Sequence, residues 1–160
     1  KSTVGKLLFE RLKPKHPNLV LLDGDVLRTI WGDSLGYTVD ARSINAARIS
    51  QLCRFLDAQN IHAVASVMHM FPDWQDWYRE TFSAYFEVFL DVPMDTLASR
   101  DQKFLYSDAK AGKTSNVVGI DIPFPRPEKA NLTIGAPDVL LPANEIADMI
   151  FEHLPAPLGN

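Results

Sequence analysis

Apolar residues recur along this chain with two alternating periods. In residues 3–12, Leu7, Leu8 and Leu12 fall with Arg11 on successive turns, which predicts a helix that "KPKHPN" breaks. "NLVLLDGD" is a short apolar run ending in acid and glycine, the pattern of a buried parallel strand that delivers polar groups at its carboxyl end. Residues 42–57 carry Ile49, Leu52, Cys53 and Leu56 at i, i+3, i+4 and i+7, and predict a second helix. "IHAVASVM" reads as a second strand, "PDWQDWYRETFSAY" as a helix with Pro72 near its start, and "FEVFLDV" as a third strand. "MDTLASR" and "KFLYSDAKAG" read as short helices, "GIDIPFPRPEKAN" as a proline-rich loop and "DVLLP" as a short strand. Residues 144–153 form a last helix with Ile146, Met149 and Ile150 inward. No internal repeat or low-complexity linker interrupts the series.

Strands alternating with helices predict an α/β fold, a parallel sheet with helices on both faces. Such sheets bind ligands beyond the carboxyl ends of their strands. The polar signals lie there: "DGD" after the first strand, "MH" after the second and "DVP" after the third.

The totals narrow the class. At 160 residues, 46% apolar and 22% charged, the chain is read as one globular domain spanning 1–160. The net charge of -4 argues against a nucleic-acid binder, which carries a basic face. The single cysteine, Cys53, excludes an internal disulfide, and its place on the apolar stripe assigns it to the core. No apolar run has the length of a membrane span and no secretory signal is visible, so a cytoplasmic protein without membrane contact is expected.

Three stretches carry candidate chemistry. "KST" at the start matches the end of G-x-x-x-x-G-K-[ST], a loop whose amides cradle phosphates while Lys reaches the outer phosphates and Ser or Thr holds magnesium. A Ser or Thr helix cap explains the same three residues. A helix starting there calls for a preceding strand, so the 160 residues are expected to lack the first strand and most of the glycine loop. "LLDGDVLRTIW" sets Asp23 and Asp25 at a strand end, where two carboxylates organise magnesium or take a proton from a hydroxyl; a plain turn with an Asp cap is the alternative. Arg28, three residues past Asp25, shares a face with it if a helix follows. In "LGYTVDARSINAARI", Arg42, Asn45 and Arg48 recur along one helix side, suited to phosphate or sulfate oxygens or to a solvated face, and Tyr37 is placed to stack on a base or to pack.

Together, "LDGDVLR", "LGYTVDARSINAAR", "FEVFLDVP", "RDQKFLY", "AKAGK" and "VVGIDIPFPRP" resemble, in order and spacing, the motifs of the adenylylsulfate kinases from Lys1 to about Ile134. These are P-loop kinases that phosphorylate the ribose 3'-hydroxyl of adenosine 5'-phosphosulfate. The resemblance implies a three-layer P-loop kinase fold, ATP and Mg2+ as cofactors, a small-molecule nucleotide acceptor and a homodimer. It implies that Lys1, Ser2 and Thr3 contact the ATP phosphates, with Ser2 and Asp23 at the magnesium. Asp25 is the implied base, and Lys103 belongs to a closing lid. Arg28, Arg42 and Asn45 are implied to hold the acceptor and its anionic tail, and Asp121 lies in a loop near it.

The departures gather at the acceptor side. The adenine of the family lies between two phenylalanines; here the positions are Tyr37 and Val117, so one aromatic plank is missing. An aromatic ring under a base contributes on the order of 1–3 kcal/mol. Met68 and His69 replace the serine and proline of an I-S-P segment, and His69 is placed to donate to a substrate oxygen or to serve structure. A sister group with similar "NVVGVDIPF"-like loops acts in bacterial capsule pathways as a cytidine diphosphoramidate 3'-kinase. The two acceptors stand as alternatives, beside a non-catalytic nucleotide-binding module and a kinase of a sugar or shikimate-like acceptor. The DGD-x-x-R and Arg42/Asn45 pairing favours a nucleotide.

Overall fold

The structure is a computed structural model that describes residues 1–32, 35–100 and 104–156. Helix α1 spans Ser2–Leu12, strand β1 Val20–Asp23, helix α2 Gly24–Ile30 and helix α3 Val39–Asp57. Strand β2 follows at Ala63–Ser66, helix α4 at Pro72–Thr81, strand β3 at Val88–Leu90, and helices α5 and α6 at Met94–Ser99 and Leu105–Lys110. Strand β4, Leu132–Ile134, and helix α7, Ala143–His153, complete the chain.

All strand pairing in named strands is parallel. β1 pairs with β2 from Val20↔Ala63 to Asp23↔Ser66, and β3 with β4 from Val88↔Leu132 to Leu90↔Ile134. Helices cover the strands from two sides. α1 and α7 close one core, in which Val4, Leu8 and Leu12 meet Ile146, Ala147 and Ile150 together with Leu19, Ile134 and Val139. A second core lies under α2 and α3 and joins Leu22, Leu27 and Ile49 to Val20, Leu52, Cys53 and Val67. The pleat sorts the residues: Val20 and Leu22 of β1 face α3, whereas Val64 of β2 faces α1 and α7. Cys53 is thus a core residue, and burial pushes its thiol up to about 11.

Polar straps hold the layers. Arg11 of α1 donates to Asp148 at 2.6 Å and to the carbonyl of Asn144 at 3.0 Å, both on α7. Arg79 of α4 pairs with Glu87 beside β3 and donates to the carbonyl of Lys129. α1 approaches β2 so closely that a Cβ on Gly5 would lie 1.9 Å from Ser66 Oγ.

The structure corrects several expected boundaries. "DVLLP" is not a strand: Asp138–Leu140 form a 3-10 turn, and the strand lies earlier, at Leu132–Ile134. Pro137 and Pro142 bracket the turn, and each lacks the N–H a ladder needs. At "DGD" the structure shows the Asp cap that was one of the two alternatives. Asp23 takes the amides of Asp25 and Val26, so α2 starts directly where β1 ends. α3 begins at Val39 because the Thr38 hydroxyl accepts from the Ala41 amide.

Candidate active site

The phosphate side forms where α1 starts beside the end of β1. Lys1 occupies the cap position of α1, and Ser2 and Thr3 are exposed in its first turn. The first amides of a helix have no intrahelical acceptor and favour an anion. Ser2 Oγ donates to Asp23 Oδ2 at 2.5 Å, across 21 positions of sequence. Asp23 Oδ1 accepts from the amides of Asp25 at 3.0 Å and Val26 at 3.3 Å. Burial acts to raise the Asp23 carboxyl, but the Ser2 hydroxyl, the two amides and the Lys1 charge outweigh it and hold it below its ordinary value. A hydroxyl touching an ionised carboxylate is a pair of hard oxygen donors and fits magnesium. Among the described residues, no three His, Cys, Asp or Glu side chains gather at one point, so such an ion would draw its other ligands from phosphate and water. Asp25 is exposed on the first turn of α2, two residues past the end of β1.

The acceptor side is built on two arginines and a tyrosine. Arg28 of α2 is only 8% exposed, donates to the carbonyl of Gly36 at 2.7 Å, and lies 4.8 Å from the Tyr37 ring centre. Arg42 of α3 lies 5.6 Å from the same ring. Its Nε donates to the carbonyl of Tyr37 and its Nη2 to that of Asn116, both at 2.9 Å, and Nη1 reaches Met68 Sδ at 3.9 Å. Burial and then the Arg28 charge lower the Arg42 guanidinium, against Tyr37 and Asp121. Two partly desolvated like charges against one ring make a locus that favours an anion.

The remaining expected residues separate by role. Tyr37 is 53% exposed and offers a surface for stacking, whereas Val117 is 2% exposed and lies inside the fold rather than as an open plank. Asp121 does not face outward as a free carboxylate: its two oxygens accept the amides of Asn116 and Val117, which pins the loop whose Asn116 carbonyl Arg42 holds. Met68 is 46% exposed beside Arg42. Asn45 Oδ1 is buried, and among the described residues it has no partner. Lys103 lies outside the described residues. Arg48 parts from Arg42, exposed and over Trp31 at 6.0 Å.

His69 belongs to a chain of contacts that spacing in the sequence does not reveal. Its Nε2 lies 2.9 Å from Tyr78 Oη, which lies 2.8 Å from Ser50 Oγ, which donates to the Ala46 carbonyl at 2.7 Å. The expected donation from His69 to a substrate oxygen is therefore not available at Nε2. Burial pushes the imidazole down to about 4, so it is neutral at pH 7. Ser50 and Tyr78 fall inside two stretches that predict helices, and nothing in their spacing joins them to His69.

Comparison with known proteins agrees with this geometry. The family described as adenylylsulphate kinase matches residues 1–135. A cytidine diphosphoramidate kinase of Campylobacter jejuni is 38% identical over 134 residues, 84% of this chain and 78% of that protein. An adenylyl-sulfate kinase of Paraburkholderia xenovorans is 33% identical over 155 residues, 96% of this chain and 86% of that one. In solved structures, the Mycobacterium tuberculosis APS kinase CysC in complex with AMPPNP and APS superimposes with a TM-score of 0.82 at 27% identity, over 96% of this chain and 89% of that one. With the motifs, the parallel α/β layers and the match over most of its length in agreement, the chain belongs to the adenylylsulphate kinase family, whose members are ATP-using phosphotransferases.

Proposed function

We propose that this kinase transfers the γ-phosphoryl of ATP to the ribose 3'-hydroxyl of a nucleotide whose 5' end carries a second anionic group. The observation that carries the reading is the meeting of Ser2 with Asp23 at 2.5 Å, which sets the start of α1 beside the DGD turn. In this reading bound MgATP supplies the phosphoryl group and the charge that neutralises it in flight. Lys1 and the first amides of α1 hold the phosphates, and Ser2 and Asp23 hold the ion directly or through water. Asp25 takes the proton of the 3'-hydroxyl. Arg28 and Arg42 bind the anionic tail, Tyr37 stacks on the base, and Lys103 belongs to the lid. A homodimer and a cytoplasmic setting accompany the reading; no helix among the described residues is long and apolar enough to cross a membrane.

For the acceptor, an exposed ring at Tyr37 with the buried Val117 in place of a second ring favours a small pyrimidine, as in cytidine diphosphoramidate. The 38% identity to a cytidine diphosphoramidate kinase supports the same choice. Adenosine 5'-phosphosulfate is the second reading, supported by the family match and the adenylyl-sulfate kinase relative. The test is magnesium-dependent phosphoryl transfer by the full-length protein, with each acceptor offered separately and the product located by phosphorus NMR. A kcat/KM at least tenfold higher for the cytidine compound supports the pyrimidine reading. The reverse preference selects adenylylsulfate, and transfer to neither removes the proposal.

A further inference from the structure

The contacts of His69 determine where its proton sits. Ser50 Oγ lies 2.7 Å from the carbonyl oxygen of Ala46, and a carbonyl only accepts, so the one Ser50 proton is committed to it. Ser50 Oγ must then accept from Tyr78 Oη at 2.8 Å, which commits the one Tyr78 proton. Tyr78 Oη in turn accepts from His69 Nε2 at 2.9 Å. A neutral imidazole has a single N–H, so Nδ1 carries none. That Nδ1 is buried and, among the described residues, has no partner; Asn45 Oδ1, one position from Ala46, is in the same condition. A side-chain amide can turn over to suit its surroundings, but the His69 proton is fixed by three successive bonds.

We infer that the bare Nδ1 of His69 accepts a hydrogen bond from the exocyclic amino group of the acceptor base, so that the Tyr78–Ser50 relay makes the site select amino over keto bases. The inference rests on the nucleotide reading above and holds for either acceptor in it, because cytosine and adenine both carry an amino group where uracil and hypoxanthine carry a carbonyl. A carbonyl oxygen set against the bare Nδ1 leaves two acceptors facing each other without a proton. His69 directly follows Met68, whose Sδ lies 3.9 Å from Arg42 Nη1 on the acceptor side; Met68 is half exposed and unbranched, a side chain that adapts to a ligand.

The two ring nitrogens can be tested separately. His69→Gln keeps a polar group for Tyr78 but removes the acceptor at Nδ1, and His69→Asn keeps an acceptor near Nδ1. Tyr78→Phe removes the relay and leaves His69 free to place its proton on either nitrogen. The experiment is calorimetric binding to the full-length protein, with the ATP site filled by a non-hydrolysable analogue. The ligands are cytidine against uridine 5'-diphosphate and adenosine 5'-phosphosulfate against its inosine counterpart; the pair that binds more tightly identifies the base. Wild type prefers the amino member roughly 10- to 100-fold. H69Q and Y78F bring the ratio near one, H69N retains part of it, and nitrogen NMR of wild type finds His69 protonated at Nε2. Retained preference in folded H69Q and Y78F, or a proton on Nδ1, overturns the inference and leaves the nucleotide reading standing. Failure of every nucleotide to bind overturns both.

Discussion

Gly5→Ala tests the seam on which the phosphate side is hung. The added Cβ would sit 1.9 Å from Ser66 Oγ, where real Cβ atoms essentially never come closer than 3.0 Å, and the next neighbour, Ser66 Cβ, is at 3.3 Å. Ser66 is 9% exposed, so its hydroxyl has little room to turn away and α1 must lift from β2. Overpacking of this kind costs about 1–3 kcal/mol, and the gain in helix propensity from Gly to Ala returns about 1 kcal/mol. We expect G5A alone to lie between neutral and about 2 kcal/mol less stable. In a Ser66→Ala background the 1.9 Å contact is gone, and G5A becomes stabilising by up to about 1 kcal/mol. Urea unfolding of the four proteins gives the coupling directly, expected at about 1–3 kcal/mol. Additivity within about 0.5 kcal/mol would refute the claim that this single contact sets the approach of α1 to β2. Because Lys1 and Ser2 lead into the same helix, G5A should also lower kcat, and S66A should restore it.

Other substitutions separate charge from architecture. Asp23→Ala removes the cap of α2 and is expected to cost about 1 kcal/mol. Asp23→Asn keeps the accepting oxygen and should melt near wild type while losing magnesium-dependent turnover, a split that paired thermal melts and rate assays detect. Arg42→Lys cannot reach the carbonyls of Tyr37 and Asn116 together, so it should raise the acceptor KM roughly tenfold and leave the ATP KM unchanged. His69 titrates near its ordinary 6.5 when unfolded and at about 4 when folded, so between these values the unfolded chain binds the extra proton and stability rises with pH. The full effect is about 3 kcal/mol, and H69Q should flatten that part of the stability-versus-pH curve. Asp23, Asp76 and Asp121, held low, lose their stabilisation only as pH falls through lower values, while Glu87, raised by burial against Arg79, acts with the opposite sign, so the difference between wild type and H69Q isolates the imidazole.

What the sequence alone determined was local. The apolar run of β1, the period of α1, α3 and α7, and the acidic cap after β1 are set by residues within one or two turns of each other, where periodicity and capping act. The "KST" and "DGD" stretches were identifiable as chemistry for the same reason. The β4 strand was not: Leu132–Ile134 is too short to show a period, while "DVLLP" imitated a strand until its prolines denied it a ladder. What only the tertiary structure decided was direction and partnership. Arg42 and Asn116 are 74 positions apart and Ser50 and Tyr78 are 28 apart, so no spacing rule joins them, and Ser2 and Asp23, 21 apart, were joined beforehand by family resemblance alone. Val117 reads as a pocket wall in its motif but is buried by the fold. A histidine offers a donor and an acceptor in any sequence; which nitrogen keeps the proton is decided by the neighbours folding brings to it, because each hydroxyl in the chain from Ala46 to His69 has one proton to give.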